Sequence, residues 1–304
     1  MPIPATKDIS QQKDFPWLSL LLGVGLFLIC YLFGVALRDI LSTFAPTSIT
    51  GNLLDIRSGR NFYRLLQGLS TITTFGLTAF FWSFYSNPNP LQRSIETKKF
   101  VSTLFLTLLI LVLIQPLIQG LIFQPDGLPI SSEWQESLTL KDKQLNSRIL
   151  QLLNDQDLWG IAGNLIVFCL LPAVFEELLF RKYLTGTLMR VMHPQLAVWL
   201  GAIVFSAMHF SITGFLARMI LGAILGYFML WTGNTKISIV GHFLHNLINM
   251  TVGILVLRDV LPRSILHPNH YNISAVVFSL VCSIVLLYIF ARLWKNHFLD
   301  QKHE

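Results

Sequence analysis

Apolar and polar positions along the chain separate into long blocks rather than a fine alternation. Eight apolar runs stand out, at about 15–37, 65–85, 100–123, 158–180, 197–210, 215–231, 237–257 and 273–294. A run of roughly 20 apolar residues crosses a ~30 Å hydrocarbon core as a helix. The runs at 197–210 and 215–231 are shorter, which predicts half-length or tilted helices in a buried core. Pro16 falls in the first turn of the first run, where a missing N–H costs little. Pro116 interrupts the third run, and an NPNP breaker follows the second at 87–90. Gly222 and Gly226, four apart, predict a small-residue face for close helix packing.

Two inter-run segments differ from each other. Residues 38–64 carry GN and SGR turn signals and read as a polar loop. Residues 124–157 place Trp134, Leu138, Leu145, Ile149 and Leu152–Leu153 three to four apart or nearly so among charges. That spacing predicts an amphipathic helix capped by Ser131 or Ser132, lying in the membrane interface or solvated.

Composition turns these runs into a class. The chain has 304 residues, 53% hydrophobic and 12% charged, with mean hydropathy +0.59. Soluble domains carry about 25% charged residues. The expected fold is all-α, a polytopic membrane helical bundle with about eight transmembrane helices. It divides into 1–157 (three spans and the amphipathic helix), 158–257 (a core) and 258–304 (a last span and tail), together one membrane domain. The N-terminus has no cleavage site after its first run, so that run is expected to stay as a span. Lys and Arg divide almost evenly between the two sides, so they set no orientation. The net charge of +6 contains no run of five like charges. Nucleic acid is therefore excluded as a partner, and lipid headgroups are expected. Cys30, Cys169 and Cys282 each lie in an apolar run without CxxC or zinc spacing, and read as buried thiols.

Against this background the stretch LPAVFEELLFR, 171–181, is anomalous. A charge at mid-membrane costs on the order of 2.5–3.5 kcal/mol on insertion scales, and here Glu176, Glu177 and Arg181 follow an apolar run. Glu177 and Arg181 are i,i+4 and can pair, while Glu176 points about 100° away. Two later runs carry polar groups at helical spacing: Phe205 with His209, and His242 with Asn246, overlapped by His245 with Asn249. Each has a plain alternative: a snorkelling ion pair, a hydrogen-bonded core histidine, or interhelical hydrogen bonds. Together they are the parts of a hydrolase with a water nucleophile. A buried carboxylate can take the proton, histidines can orient water or bind metal, and an amide can donate to an oxyanion. GxSxG and HExxH are both absent.

EExxxR, FxxxH and HxxxN in this order, each on an apolar segment, resemble the CAAX-protease and bacteriocin-processing family of intramembrane proteases, also called the Abi family. The run TGNTKISIVGHFLHN, 232–246, is similar to the family's turn and its following histidine motif, and it selects His242 and Asn246. GAILGYFMLW, 222–231, is similar to the segment upstream, and the resemblance spans roughly 158–250. It implies an intramembrane endopeptidase. Glu176 would be the general base, with His209 positioning the water, Glu177 and Arg181 supporting the site, and His242 and Asn246 stabilising the oxyanion. His245 stands where members often have Asn. The family is labelled as metalloproteases, so the resemblance implies either a divalent metal, zinc on Glu176, His209 and His242, or a glutamate-dependent reaction without metal. It also implies a peptide or membrane-protein substrate, prenylated or bacteriocin-like. The style of the N-terminal half suggests a bacterial cell membrane. Two other functions compete: a non-catalytic, immunity-type membrane scaffold that retains the site, and a proton-coupled transporter. The transporter is disfavoured by the absence of an internal repeat.

Overall fold

The computed structural model describes residues 15–46, 52–86, 97–122, 131–155, 157–266 and 272–300. The expectations for the N-terminal segment, the breaker at 87–90 and residues 124–130 lie outside the described residues. Helices and turns account for the described chain, with no strand among the described residues. The helices are α1 (Pro16–Ser42), α2 (57–83), α3 (Thr97–Leu113, resumed at Gln115–Gly120), α4 (Ser132–Leu153), α5 (Leu158–Leu188), α6 (Pro194–Ala207), α7 (Phe215–Thr232), α8 (Thr235–Leu257) and α9 (Ile273–Asp300).

The protein is an all-α bundle. Among the described residues, six stretches are long and apolar enough to cross a membrane: α1, 99–120 of α3, α5, α7, α8 and 273–294 of α9. The other two expected spans are helical as well. One lies in α2, and the other is the 14-residue α6. The apolar outer faces fit a lipid surround, because α1 and α9 expose Leu21, Ile29, Phe278 and Ile284 by half or more.

Local chemistry explains where the helices bend. Pro172 sits inside α5 directly after a π-helical stretch, Leu165–Leu170. A proline removes one N–H and collides with the preceding turn, and a wider turn accommodates it. Pro116 breaks α3 at Ile114. There Ser279 of α9 enters the broken ladder, accepting from Leu117 N at 3.2 Å and donating to Leu113 O at 2.6 Å. In lipid, a neighbouring helix must satisfy such freed groups, and Ser279 does so.

Close packing follows small residues. A Cβ on Gly222 would meet Phe205 at 3.1 Å, and one on Gly226 would meet Val198 at 2.9 Å. Both glycines therefore face α6, as their spacing predicts, and let α6 and α7 approach closely. Gly233 closes α7 with φ 64°, its N–H bonding Met229 O at 2.8 Å. Asn234 caps α8 one residue later, its side chain accepting from Lys236 N at 2.8 Å. This tight turn fixes α8 against α7 and hence the depth of His242.

The start of α5 is fixed from the N-terminal half. Arg64 of α2 is buried, donating to Asn164 Oδ1 at 2.8 Å, to Leu152 O at 3.2 Å and to Asp155 Oδ2. Arg60 pairs with Asp155 Oδ1 at 2.6 Å. Breaking a buried pair strands the remaining charge. Arg64→Met is expected to lower stability by about 3 kcal/mol, read as the thermal midpoint of detergent-purified protein. Arg57→Ala, which removes a largely exposed pair with Asp157 (3.0 Å), is expected to cost under about 1 kcal/mol in the same assay.

The amphipathic helix forms as α4. Ser131 caps it, accepting from Trp134 N at 3.4 Å. Leu152 and Leu153 are buried, Leu153 packing with Cys169 and Met250, while Trp134 and Leu145 are exposed. Cys30 and Cys169 are buried thiols and Cys282 is half-buried.

Candidate active site

The acidic pair sits where α5 passes from α-helix, Leu171–Glu177, into a second π-helical stretch, Leu178–Thr185. Glu176, Glu177 and Arg181 are all buried. Arg181 Nε lies 3.1 Å from Glu177 Oε2, an ion pair without hydrogen-bond alignment. The guanidinium also donates from Nη2 to Gly222 O at 3.1 Å and lies 4.4 Å over the Phe205 ring. A carboxylate, a backbone carbonyl and a π face together hold this cation in place.

The second carboxylate oxygen of the pair is not idle. Glu177 Oε1 accepts from His242 Nδ1 at 2.9 Å, across from α8. Glu177 therefore ties Arg181 on its own helix to His242 on another. The i,i+4 spacing predicts the first bond; no sequence signal predicts the second. With Nδ1 donating, His242 keeps Nε2 for other work.

Glu176 faces a different partner. Its Oε2 is buried without a hydrogen bond and stands 4.0 Å from His209 Nε2. That separation is too long for a direct hydrogen bond. His209 Nδ1 donates to Phe205 O at 2.9 Å, which leaves Nε2 directed at Glu176. His209 itself lies beyond α6, which ends at Ala207, not within the helix as the apolar run implies. The imidazole still meets Phe205, with ring centroids 5.0 Å apart in a T-shaped contact. Phe205 is the packing hub: its ring also meets His242 at 5.9 Å and Phe180 at 5.3 Å.

The turn that carries His209 is held from three sides. Phe210 has φ 50°, a left-handed conformation that costs a non-glycine residue about 1–2 kcal/mol. Ser206 Oγ donates to Phe215 O at 2.6 Å, and Arg218 donates to Ser211 O. From α4, Asp142 Oδ2 accepts from Ser211 Oγ at 3.1 Å and Thr213 Oγ1 at 2.5 Å. Asp142 lies far from every motif and carries no sequence signal.

Glu176, Glu177, Arg181, His209 and His242 thus converge. Asn246 is half-buried one turn beyond His242 and hydrogen-bonds none of the described residues. His245 is set apart: Gln115 Nε2 of α3 lies 3.3 Å from its Nδ1, and Asn249 Nδ2 lies 2.9 Å from its Nε2. The overlapping HxxxN pairs therefore serve different neighbours. Both His209 and His242 donate through Nδ1 and free Nε2, as metal-binding imidazoles commonly do. Among the described residues, however, no three His, Cys, Asp or Glu side chains are gathered to hold a metal ion, Glu176, His209 and His242 included.

A buried carboxylate faces an imidazole inside an apolar, multi-pass helical bundle. Residues 158–248 match the family model described as type II CAAX prenyl endopeptidase Rce1-like. That segment holds every motif residue, and over it the chain is similar to the CAAX-protease family. The curated proteins and the solved structures gave no match.

Proposed function

We propose that the protein hydrolyses a peptide bond at membrane depth, using a water held between Glu176 and His209. The observation that carries this reading is the buried, unbonded Glu176 Oε2, 4.0 Å from His209 Nε2. Glu176 takes a proton from the water, and the hydroxide attacks the scissile carbonyl carbon. The carbonyl electron pair moves to oxygen, where His242 Nε2–H and the Asn246 amide donate to it. The pair returns as the C–N bond breaks, and Glu176 passes its proton to the leaving amine. Glu177 fixes the His242 ring through Nδ1, while Arg181 holds Glu177 in place. The expected substrate is a peptide tail or membrane protein presented from the bilayer, of prenylated or bacteriocin-like kind, in a bacterial cell membrane. The test is cleavage of a quenched fluorescent peptide, with and without a prenylated cysteine, by purified protein. Failure on every such peptide would count against the reading.

No step here passes through a metal, because the three candidate ligands are not gathered as a site. Purified protein is expected to hold well under one equivalent of zinc by elemental analysis and to keep its activity in chelator. One equivalent, lost with activity in His242→Ala, would reverse that expectation.

Asp142 acts through His209 rather than on substrate. Asp142→Ala is expected to lower kcat about tenfold, by loosening the turn that aims the imidazole, since small misplacements at a site cost heavily. Asp142→Asn, which keeps an acceptor oxygen, is expected to restore most of it. Equal loss of kcat in both variants would assign Asp142 a purely structural charge.

A further inference from the structure

Helix α4 is held to the bundle at its last turn and again at Asp142. Leu152 and Leu153 are buried, and Arg64 donates to Leu152 O at 3.2 Å. Further back, Asp142 Oδ2 accepts from Ser211 and Thr213 and so holds the turn that carries His209. The outer side of the same helix is uncovered, with Trp134 67% and Leu145 47% exposed.

That outer side has an order. At 100° per residue, Trp134, Lys141, Leu145 and Arg148 fall within about 60° of one another around α4. They form a stripe of two apolar and two cationic side chains, all exposed. The nearest acids, Asp142 and Glu133, stand about 80° and 100° from Trp134, off the stripe. Exposed tryptophan and leucine edged by cations are the pattern of a helix lying in the membrane interface.

A third cation fixes the depth. No Asp, Glu, Lys or Arg stands between Pro16 and Leu37 of α1, and Arg38 is the first charge after them. Arg38 therefore marks where α1 leaves the hydrocarbon. Arg38 and Arg148 line one polar cavity, which has no acid in its lining, so the stripe reaches headgroup depth. Arg38, Lys141 and Arg148 make no ion pair with a described residue. Three unpaired cations at that depth fit a headgroup of net negative charge better than a zwitterionic one.

We propose that α4 docks on anionic phosphate headgroups of the surrounding bilayer through Arg38, Lys141 and Arg148, and that this seating steadies the turn carrying His209 through Asp142. The inference goes beyond the hydrolase reading, and its readouts need no cleavage.

Lipid binding tests the docking. The intact, detergent-purified chain is titrated with dioctanoyl phosphatidylglycerol and with dioctanoyl phosphatidylcholine, and bound lipid is counted by native mass spectrometry. The anionic lipid is expected to bind about tenfold tighter, and the ratio to fall to about one in R38Q/K141Q/R148Q. Should the triple variant fail to fold, R38Q, K141Q and R148Q are each expected to lose part of the preference. Equal binding of both lipids to the wild type overturns the proposal, as does a preference that survives in the variants. Inorganic phosphate supplies the competing arm. If it displaces the lipid at equal concentration, the cations serve a free anion and the bilayer is not the occupant.

Amide hydrogen exchange of residues 209–213, in nanodiscs with and without phosphatidylglycerol, tests the link to His209. Exchange is expected to slow about fivefold with the anionic lipid in the wild type and to be unchanged by it in the triple variant. D142A is expected to lose the slowing while keeping the lipid preference. A lipid preference that leaves exchange of the turn unaltered would sink the coupling. Absence of peptide cleavage, with both lipid effects present, would sink the hydrolase reading alone.

Discussion

Glu176→Gln is expected to lower peptide hydrolysis by about 10²–10⁴-fold, the usual contribution of a positioned acid–base group. The side chain keeps its size in the amide, so the buried site needs no repacking. Oε2 makes no hydrogen bond in the described structure, so no existing bond is lost with it. Thermal stability and elution of the variant are therefore expected to match the wild type. The amide cannot take a proton from water. The measurement is the initial rate on a quenched peptide beside a melting curve of the same sample. A variant that cleaves at the wild-type rate would make Glu176 a structural group and favour the scaffold reading. A variant that melts far lower would mean that Oε2 carries a stabilising contact.

Glu177→Leu is expected to have the largest effect on stability of any change at the site, about 3–5 kcal/mol. It removes the only described carboxylate that reaches both Arg181, at 3.1 Å, and His242, at 2.9 Å. Arg181 is then left fully buried against one carbonyl and one ring, an uncompensated charge in an apolar bundle. The double variant Glu177→Leu with Arg181→Leu removes both members of the pair. It is expected to recover most of that stability, since apolar replacements of buried pairs are often neutral or better. Activity is not expected to return, because His242 has still lost the partner of its Nδ1. The readouts are denaturation midpoint and peptide cleavage for the three proteins side by side. Equal instability of the single and double variants would show that the pair matters for packing and not for charge.

These two expectations separate roles that adjacent positions in the chain do not distinguish. Glu176 and Glu177 are neighbours in sequence and differ by about 100° around the helix. One faces the turn after α6 and the other faces α8. The likeness of 158–248 to the CAAX-protease family covers all of these residues without assigning their contacts. The distances say which atom meets which.

The sequence by itself determined the class of fold. Long apolar runs with few charges can satisfy their backbone in lipid only as helices, and α1, α3, α5, α7, α8 and α9 follow from run length and hydropathy. It also determined the candidate residues, because charged groups inside apolar runs are costly enough to be conspicuous. The Glu177–Arg181 pair was legible because i,i+4 contacts are local. Only the tertiary structure decided the rest. The run 232–246 already selects His242 over His245, but its bond to Glu177 depends on the rotation of α8 against α5, and composition carries no record of that rotation. His209 reaches Glu176 from a turn, not from a helix, held by Asp142 and a left-handed Phe210. Asp142 and Arg64 look like ordinary solvated charges in the sequence. Their partners lie 71 and 100 positions away at Thr213 and Asn164, and no local spacing rule extends over such separations.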